Sequence, residues 1–162
     1  VKQGKKARII GKMNALLEPT IIEELYKASQ AGVQIDLIVR GVCALRPGVK
    51  GLSENIKVRS ILGRFLEHSR IFHFTNAGED EYWVGSADLM GRNLNRRVES
   101  LVRIDKKAHK EYLQEILNQG LSDEVSSWHM HDDKWMRVTQ SKDGKALKDM
   151  HALFAKRFKN VK

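Results

Sequence analysis

His68 and Arg70 stand two residues apart in Phe65-Leu66-Glu67-His68-Ser69-Arg70-Ile71-Phe72, and Gly85-Ser86-Ala87-Asp88 begins fifteen residues past Arg70. Read as a strand from Glu67 to Phe74, this spacing puts imidazole and guanidinium on one face of a sheet. Histidine exchanges a proton near neutral pH, and a neighbouring phosphate favours its protonated form. A guanidinium grips phosphate oxygens in a fixed fork. Small residues at Gly85 and Ser86 let backbone N–H groups approach an anion, and Ser86 adds a hydroxyl. Together these groups could hold a phosphoryl group and move a proton beside it. The competing reading of His68 is a half-buried ring satisfied by hydrogen bonds, and Arg70 with the Gly-Ser stretch weighs against it. Asp88 is read as orienting a neighbour or capping a helix.

Further arginines extend the pattern. Arg92, Arg96 and Arg97 follow the Gly-Ser stretch, and on a helix Arg92 and Arg96 share a face. They could hold several phosphates of a chain; ion pairing with Glu99 or Asp88 is the alternative. Other sites are weaker. Cys43 lacks a local base and is read as packing. His129-Met130-His131-Asp132-Asp133 looks like a metal cluster, but alternate residues close no ligand set, so a linker is expected. His73, His109 and His151 have no evident partners. There is no Gly-rich phosphate loop ending in Lys-Ser/Thr.

The elements that must position these groups are read from the hydrophobic pattern. Arg8 to Met13 is a strand. Glu18-Pro19-Thr20 opens a helix that ends at Gly32, and Val33 to Val39 is a second strand. Strand, helix, strand within about thirty residues is a βαβ unit with a right-handed parallel crossover. Arg40-Gly41 then falls at the carboxyl end of a strand, where open α/β sheets place ligands. Residues 46–55 read as a loop, and 56–66 fit a strand or a helix. After Asn76 to Asp80 the chain turns back antiparallel through Glu81 to Val84. Val98 to Ile104 is a further strand, and Lys106 to Gln119 a helix stopped by Gly120. Trp128 and Trp135 are expected to dock on the domain. Ala146 to Phe158 is a terminal amphipathic helix.

Composition limits the function classes. The 162 residues suit one domain, and 41% hydrophobic content excludes a disordered chain. A single cysteine excludes a disulfide framework and fits a reducing cytosol. No apolar run is long enough to span a bilayer. The chain begins with Val1, not Met, and is read as a piece of something longer. The net charge of +9 favours an anionic partner. Nine of the 12 arginines, but only two of the 17 lysines, lie between Arg40 and Arg103. The middle of the chain is thus built for phosphate, and its ends for solvation.

The His-x-Arg run with a later Gly-Ser-x-Asp resembles half of the phospholipase D superfamily motif, His-x-Lys…Asp…Gly-Ser-x-Asn. Arg70 replaces the lysine and Thr75 the aspartate, and both departures argue against an ordinary phosphodiesterase. A fuller resemblance runs from about Ala7 to Arg137. It is carried by Ala7-Arg-Ile-Ile-Gly-Lys-Met-Asn-Ala-Leu-Leu-Glu-Pro, Asp36-Leu-Ile-Val-Arg-Gly-Val-Cys-Ala-Leu-Arg-Pro-Gly, Ile61-Leu-Gly-Arg-Phe-Leu-Glu-His-Ser-Arg-Ile-Phe and Val84-Gly-Ser-Ala-Asp-Leu-Met-Gly-Arg-Asn-Leu-Asn-Arg-Arg-Val-Glu. Together these are similar to the C-terminal catalytic domain of bacterial polyphosphate kinase.

The resemblance implies an α/β fold, a phospholipase D-like mixed sheet flanked by helices. It implies a catalytic domain over residues 1–138 and a helical tail over 139–162. The implied reaction is reversible transfer of the terminal phosphate of ATP to inorganic polyphosphate with Mg2+, through a phosphohistidine on a preceding domain. That domain and the Mg2+ ligands lie outside this sequence, so the fragment alone is expected to be inactive. His68 corresponds to the second active-site histidine, Arg40 to an arginine on the nucleotide phosphates, and Arg97 to basic residues lining the polyphosphate path. Arg70 and Ser86 join the phosphate-binding set on the geometry above. Implied partners are ATP or ADP, polyphosphate, the enzyme's N-terminal domains and further copies in a homo-oligomer, with no nucleic acid. The implied location is cytoplasmic, with membrane association of the full enzyme left open. Two alternatives remain at this point: a phosphodiesterase or nuclease half-site, and a non-catalytic polyanion-binding domain.

Overall fold

Alternation along the first strand decides how the layers stack. In β1 (Arg8–Met13), Ile9 and Met13 pack to one side and Ile10 to the other. The computed structural model describes residues 4–159. After β1 come α1 (Pro19–Gln30), β2 (Gln34–Val39), β3 (Ile56–Ser60), β4 (Arg70–Asn76) and β5 (Glu79–Gly85). Then follow α2 (Gly91–Arg96), β6 (Leu101–Ile104), α3 (Lys107–Leu121), β7 (Trp128–His131), β8 (Lys134–Arg137) and α4 (Met150–Phe158). The strands form one eight-stranded sheet in the order β6-β5-β4-β1-β2-β3-β7-β8. β1, β2 and β3 run parallel, while β4 and β7 flank them antiparallel, so the sheet is mixed.

Helix α1 covers one face. Its Ile22, with Ile21, Leu25 and Tyr26, packs on Met13, Ile35, Leu37 and Val39. Helices α3 and α4 cover the other face: Leu113 and Leu117 meet Ile10, Ile71 and Tyr82, and Met150 meets Ile38, Ile61 and Val125. Gly120 does not stop α3, which continues to Leu121. A Cβ there would lie 2.8 Å from Ile38 Cδ1, so this glycine serves close helix–sheet packing.

Other expectations change as well. The 129–133 stretch is not a linker but the β7–β8 hairpin, turning at Asp132 and Asp133 with φ of 45° and 65°. Such positive φ at two central residues is the twist a two-residue hairpin turn needs, and Asp tolerates it. Residues 56–66 divide into β3 and a loop without ladder bonds. Residues 139–149 run mostly as coil before α4, and Met150 and His151 are buried. No helix among the described residues is long and apolar enough to cross a membrane.

The topology gathers one edge. β1 and β2 are parallel in register, Met13 beside Val39, so Asn14 and Arg40 emerge side by side at their carboxyl ends. β4 enters at that same edge with Arg70 opposite Gly85, the last residue of β5. Segments distant in sequence therefore meet over the carboxyl ends of β1 and β2, the place where open sheets hold ligands.

Candidate functional site

Asp88 anchors that edge. One carboxylate oxygen accepts the backbone N–H groups of Asn14 and Ala15 at 2.8 and 3.1 Å. Arg70 grips both oxygens, with Nε 3.2 Å from Oδ1 and Nη2 2.8 Å from Oδ2. The pair is nearly sealed from water, with side-chain exposure of 10% for Arg70 and 3% for Asp88. Burial alone would raise the Asp88 carboxyl, but the Arg70 hydrogen bonds and the two amides outweigh it and hold it below its ordinary value.

His68 sits in front of this pair. It lies not on a strand, as the spacing predicts, but in the loop before β4. The reason is local: Glu67 accepts from both the backbone N–H and the hydroxyl of Ser69, a turn that competes with strand pairing. Glu67 also reaches back to Lys12 on β1. The link between His68 and Arg70 is thus direct contact and not a shared strand face. Arg70 Nη1 donates to the His68 carbonyl at 2.9 Å, and Nη2 lies 2.7 Å from the ring Nε2.

Arg40 completes the arrangement. Asn14 Oδ1 accepts its Nε and Nη2 at 2.9 and 2.7 Å, and Nη2 also stands 3.3 Å from His68 Nδ1. Asn14, Arg40, His68, Arg70 and Asp88 form a closed ring of contacts, with Asn14 Nδ2 returning to Asp88 Oδ2 at 3.5 Å. Both imidazole nitrogens face guanidinium groups. A neutral ring has one N–H and so accepts from only one of them. Among the described residues Arg40 pairs with no carboxylate, so its charge is oriented by an amide and left for an incoming anion.

Lys12 lies beside this ring and is almost fully buried. Burial pushes its ammonium below the ordinary lysine value, against the pull of Glu67. For Glu67, burial works upward but is outweighed by the Lys12 charge and the Lys12 and Ser69 hydrogen bonds, so the carboxyl lies low. The pair ties the His68 loop to the central strand. Asn14 and Lys12 were missed in the sequence. The available signal was a lysine inside the apolar run Ile9-Ile10-Gly11-Lys12-Met13, with an amide just past it.

Ser86 and Arg97 stand outside the ring. The Ser86 hydroxyl donates to Glu99 and accepts the Ser100 N–H at 3.0 Å, and its own N–H bonds to the Ser100 carbonyl. Ser86 thus braces the start of the connection that runs from β5 through α2 against its end at β6. Arg92 and Arg96 lie on α2 and are exposed, as is Arg97 just beyond it, whose Nε is 4.0 Å from Glu99. Cys43 packs half-buried against the core, with its thiol raised by burial.

A family model described as polyphosphate kinase C-terminal domain 2 matches residues 1–149. The chain belongs to this family. It is 50% identical over 153 residues to the polyphosphate kinase of Streptomyces coelicolor, covering 94% of this chain and 20% of that protein. The Neisseria meningitidis polyphosphate kinase is 57% identical over 133 residues, 82% of this chain and 19% of its own. The crystal structure of polyphosphate kinase from Porphyromonas gingivalis superposes with a TM-score of 0.89 at 35% identity, over 98% of this chain and 24% of that one. The chain therefore spans about a fifth of the length of the curated relatives it matches. The mixed sheet flanked by helices agrees with the phospholipase D-like fold expected for the family.

Proposed function

We propose that this polyphosphate kinase domain contributes one half of an active site that moves the terminal phosphate of ATP reversibly onto inorganic polyphosphate. The carrier is a phosphohistidine on a preceding domain of the same enzyme, and oligomers and ADP release belong to that whole enzyme. One observation carries the reading most: a histidine held between two guanidinium groups, one of them paired with no carboxylate.

A phosphoryl transition state spreads negative charge over its oxygens, so catalysis is mostly positioning and positive charge. Arg40, oriented by Asn14, binds the nucleotide phosphates. Arg70 is held by Asp88 and acts as a fixed donor to Nε2 of His68. With Nε2 accepting, the ring proton sits on Nδ1, on the side of Arg40 and the phosphate it holds. From there the Nδ1–H donates a hydrogen bond to the oxygen that leaves with ADP as the phosphoryl group moves to the histidine of the preceding domain, and it steadies the developing charge without giving up the ring's one proton. In the reverse direction the same N–H orients the attacking oxygen of ADP. Arg97, with Arg92 and Arg96, meets the polyphosphate chain. Ser86 braces the connection from β5 to α2 that carries these arginines.

Mg2+ accompanies the nucleotide in this reading, but the residues here do not make its site. Among the described residues no cluster of three or more His, Cys, Asp or Glu side chains is placed to hold a metal ion. Asp88 and Glu67, the carboxylates at the site, are bound to Arg70 and Lys12. No step is assigned to the metal in this domain.

The test is His68→Ala in the full-length enzyme, with chain synthesis from ATP as readout. Loss of at least about a hundredfold in kcat, the scale of a removed donor to developing charge, is expected with the fold intact. Wild-type synthesis by that variant would overturn the assignment. The isolated 162 residues are expected to show no turnover, because the nucleophilic histidine is elsewhere.

A further inference from the structure

The loop that carries His68 has little to hold it. Residues 61–69 make no strand or helix, and Leu62, Phe65 and Leu66 are exposed by 59%, 52% and 83%. An exposed loop without ladder bonds samples many conformations, yet a proton donor must sit within a few tenths of an ångström of its target. At its carboxyl end the loop is tied by Glu67 to Lys12 and by Arg70 to Asp88. Its amino-terminal half has a different tie. The Phe65 backbone N–H donates to His151 Nδ1 at 3.0 Å, and the Phe65 ring stacks on the His151 ring with centroids 5.9 Å apart and planes at 26°.

His151 is buried in the first turn of α4. Asp149 caps this helix by accepting the Ala152 N–H at 3.0 Å, and Met150 sits in the core against Ile38 and Ile61. The imidazole is therefore fixed from the helix side before it meets the loop. On the loop side Gly63 makes room for it: a Cβ at Gly63 would lie 2.5 Å from His151 Nδ1. Helix α4, which carries His151, starts at Met150, one residue past the stretch that matches the family model.

We propose that His151 is a positioning residue, by which α4 holds the His68 loop in its working geometry. The proposal rests on His68 being the donor to the leaving oxygen described above. His151 touches neither substrate nor reacting atoms. It acts by giving the Phe65 amide its acceptor and the Phe65 ring its stacking partner, so that the loop is pinned on both sides of His68. Arg40 is oriented by Asn14 from other strands, so nucleotide binding does not depend on this tie.

Three variants of the full-length enzyme test this, each read by kcat, nucleotide KM, unfolding midpoint and hydrogen exchange of the 61–69 segment. His151→Leu keeps apolar volume and removes the acceptor. It should speed exchange across 61–69 and lower kcat by ~10- to 100-fold, the cost of a misplaced group, with KM within about twofold and the midpoint retained. His151→Asn places an amide oxygen near the Nδ1 position and should recover most of the loss. Gly63→Ala should reproduce the kcat defect from the loop side, and it decides the matter if His151→Leu does not fold. Wild-type exchange and kcat in His151→Leu, or Asn no better than Leu, would overturn the proposal. So would a loss shared among kcat, KM and midpoint, which marks a merely structural residue. A full rate in His68→Ala would instead sink the reading of His68 as that donor, while the exchange data would still report on the tie.

Discussion

Two arginine–carboxylate pairs flank the Gly-Ser stretch, and they differ in almost every physical respect. Arg70 and Asp88 meet in a two-pronged contact at 2.8 Å, with side chains exposed by only 10% and 3%. Arg97 and Glu99 are 4.0 Å apart, and the Arg97 side chain is 61% exposed. A buried guanidinium whose charge is already matched cannot leave its partner without a large cost, so it serves as a rigid frame. An exposed one in high dielectric is held weakly and is free to be drawn to a polyanion. The first pair fixes where His68 stands; the second leaves its charge open to solvent. The same residue types therefore divide into frame and contact according to burial alone.

The largest expected effect comes from breaking the buried pair. Asp88→Asn should cost about 3–5 kcal/mol, because it leaves a guanidinium buried without its counter-charge. Denaturant unfolding of this chain measures it. Glu99→Gln should leave the midpoint where it was, and equal effects of the two changes would break the contrast. Next comes the other buried pair. Lys12→Met should destabilise the domain by leaving Glu67 unpaired, while Lys12→Met combined with Glu67→Gln should recover most of the midpoint. A double variant as unstable as the single one would show that the pair is not the cause.

The pH dependence sharpens the contrast further. Asp88 and Glu67 both have folded carboxyls lying below the ordinary values of 3.8 and 4.5. The unfolded chain therefore binds protons first as pH falls. Their stabilisation is complete above about pH 5 and is lost as pH drops through the depressed values. Unfolding followed from pH 6 to pH 2 should show stability falling steeply below about pH 4, and less steeply in Asp88→Asn. A slope unchanged by that substitution would remove Asp88 from the account. The smallest effect is expected at the exposed pair. Arg97→Ala should leave folding and nucleotide KM unchanged, weaken polyphosphate binding a few-fold and flatten its salt dependence. An altered unfolding midpoint would place Arg97 in the frame after all.

Much of this was legible in residue order. Alternating and helical apolar spacing revealed β1, α1, β2 and α3, and the βαβ unit put Arg40 at a strand's carboxyl end. His68, Arg70 and Arg40 were all recognised, and they meet as one cluster. What misled was assigning the His68 run to a strand. Its period-two pattern is real, but Ser69 bonding to Glu67 and the pull of Lys12 end the ladder at Arg70. The 129–133 stretch misled in the other direction, because two aspartates at positive φ make a hairpin that hydrophobic counting does not see.

Residue order by itself determined the chemistry available: the His68 imidazole, an arginine-rich middle and short motifs that place the chain in its family. Only the tertiary structure decided how those groups are divided. Strand pairing brought Asn14, Arg40, Arg70 and Asp88 to one edge from positions up to 74 residues apart. Burial then determined which charges are matched and fixed and which remain open, because the cost of separating charges depends on surroundings that no single segment contains. The tie from His151 to Phe65 spans 86 residues, and so could be read only once the helix had docked.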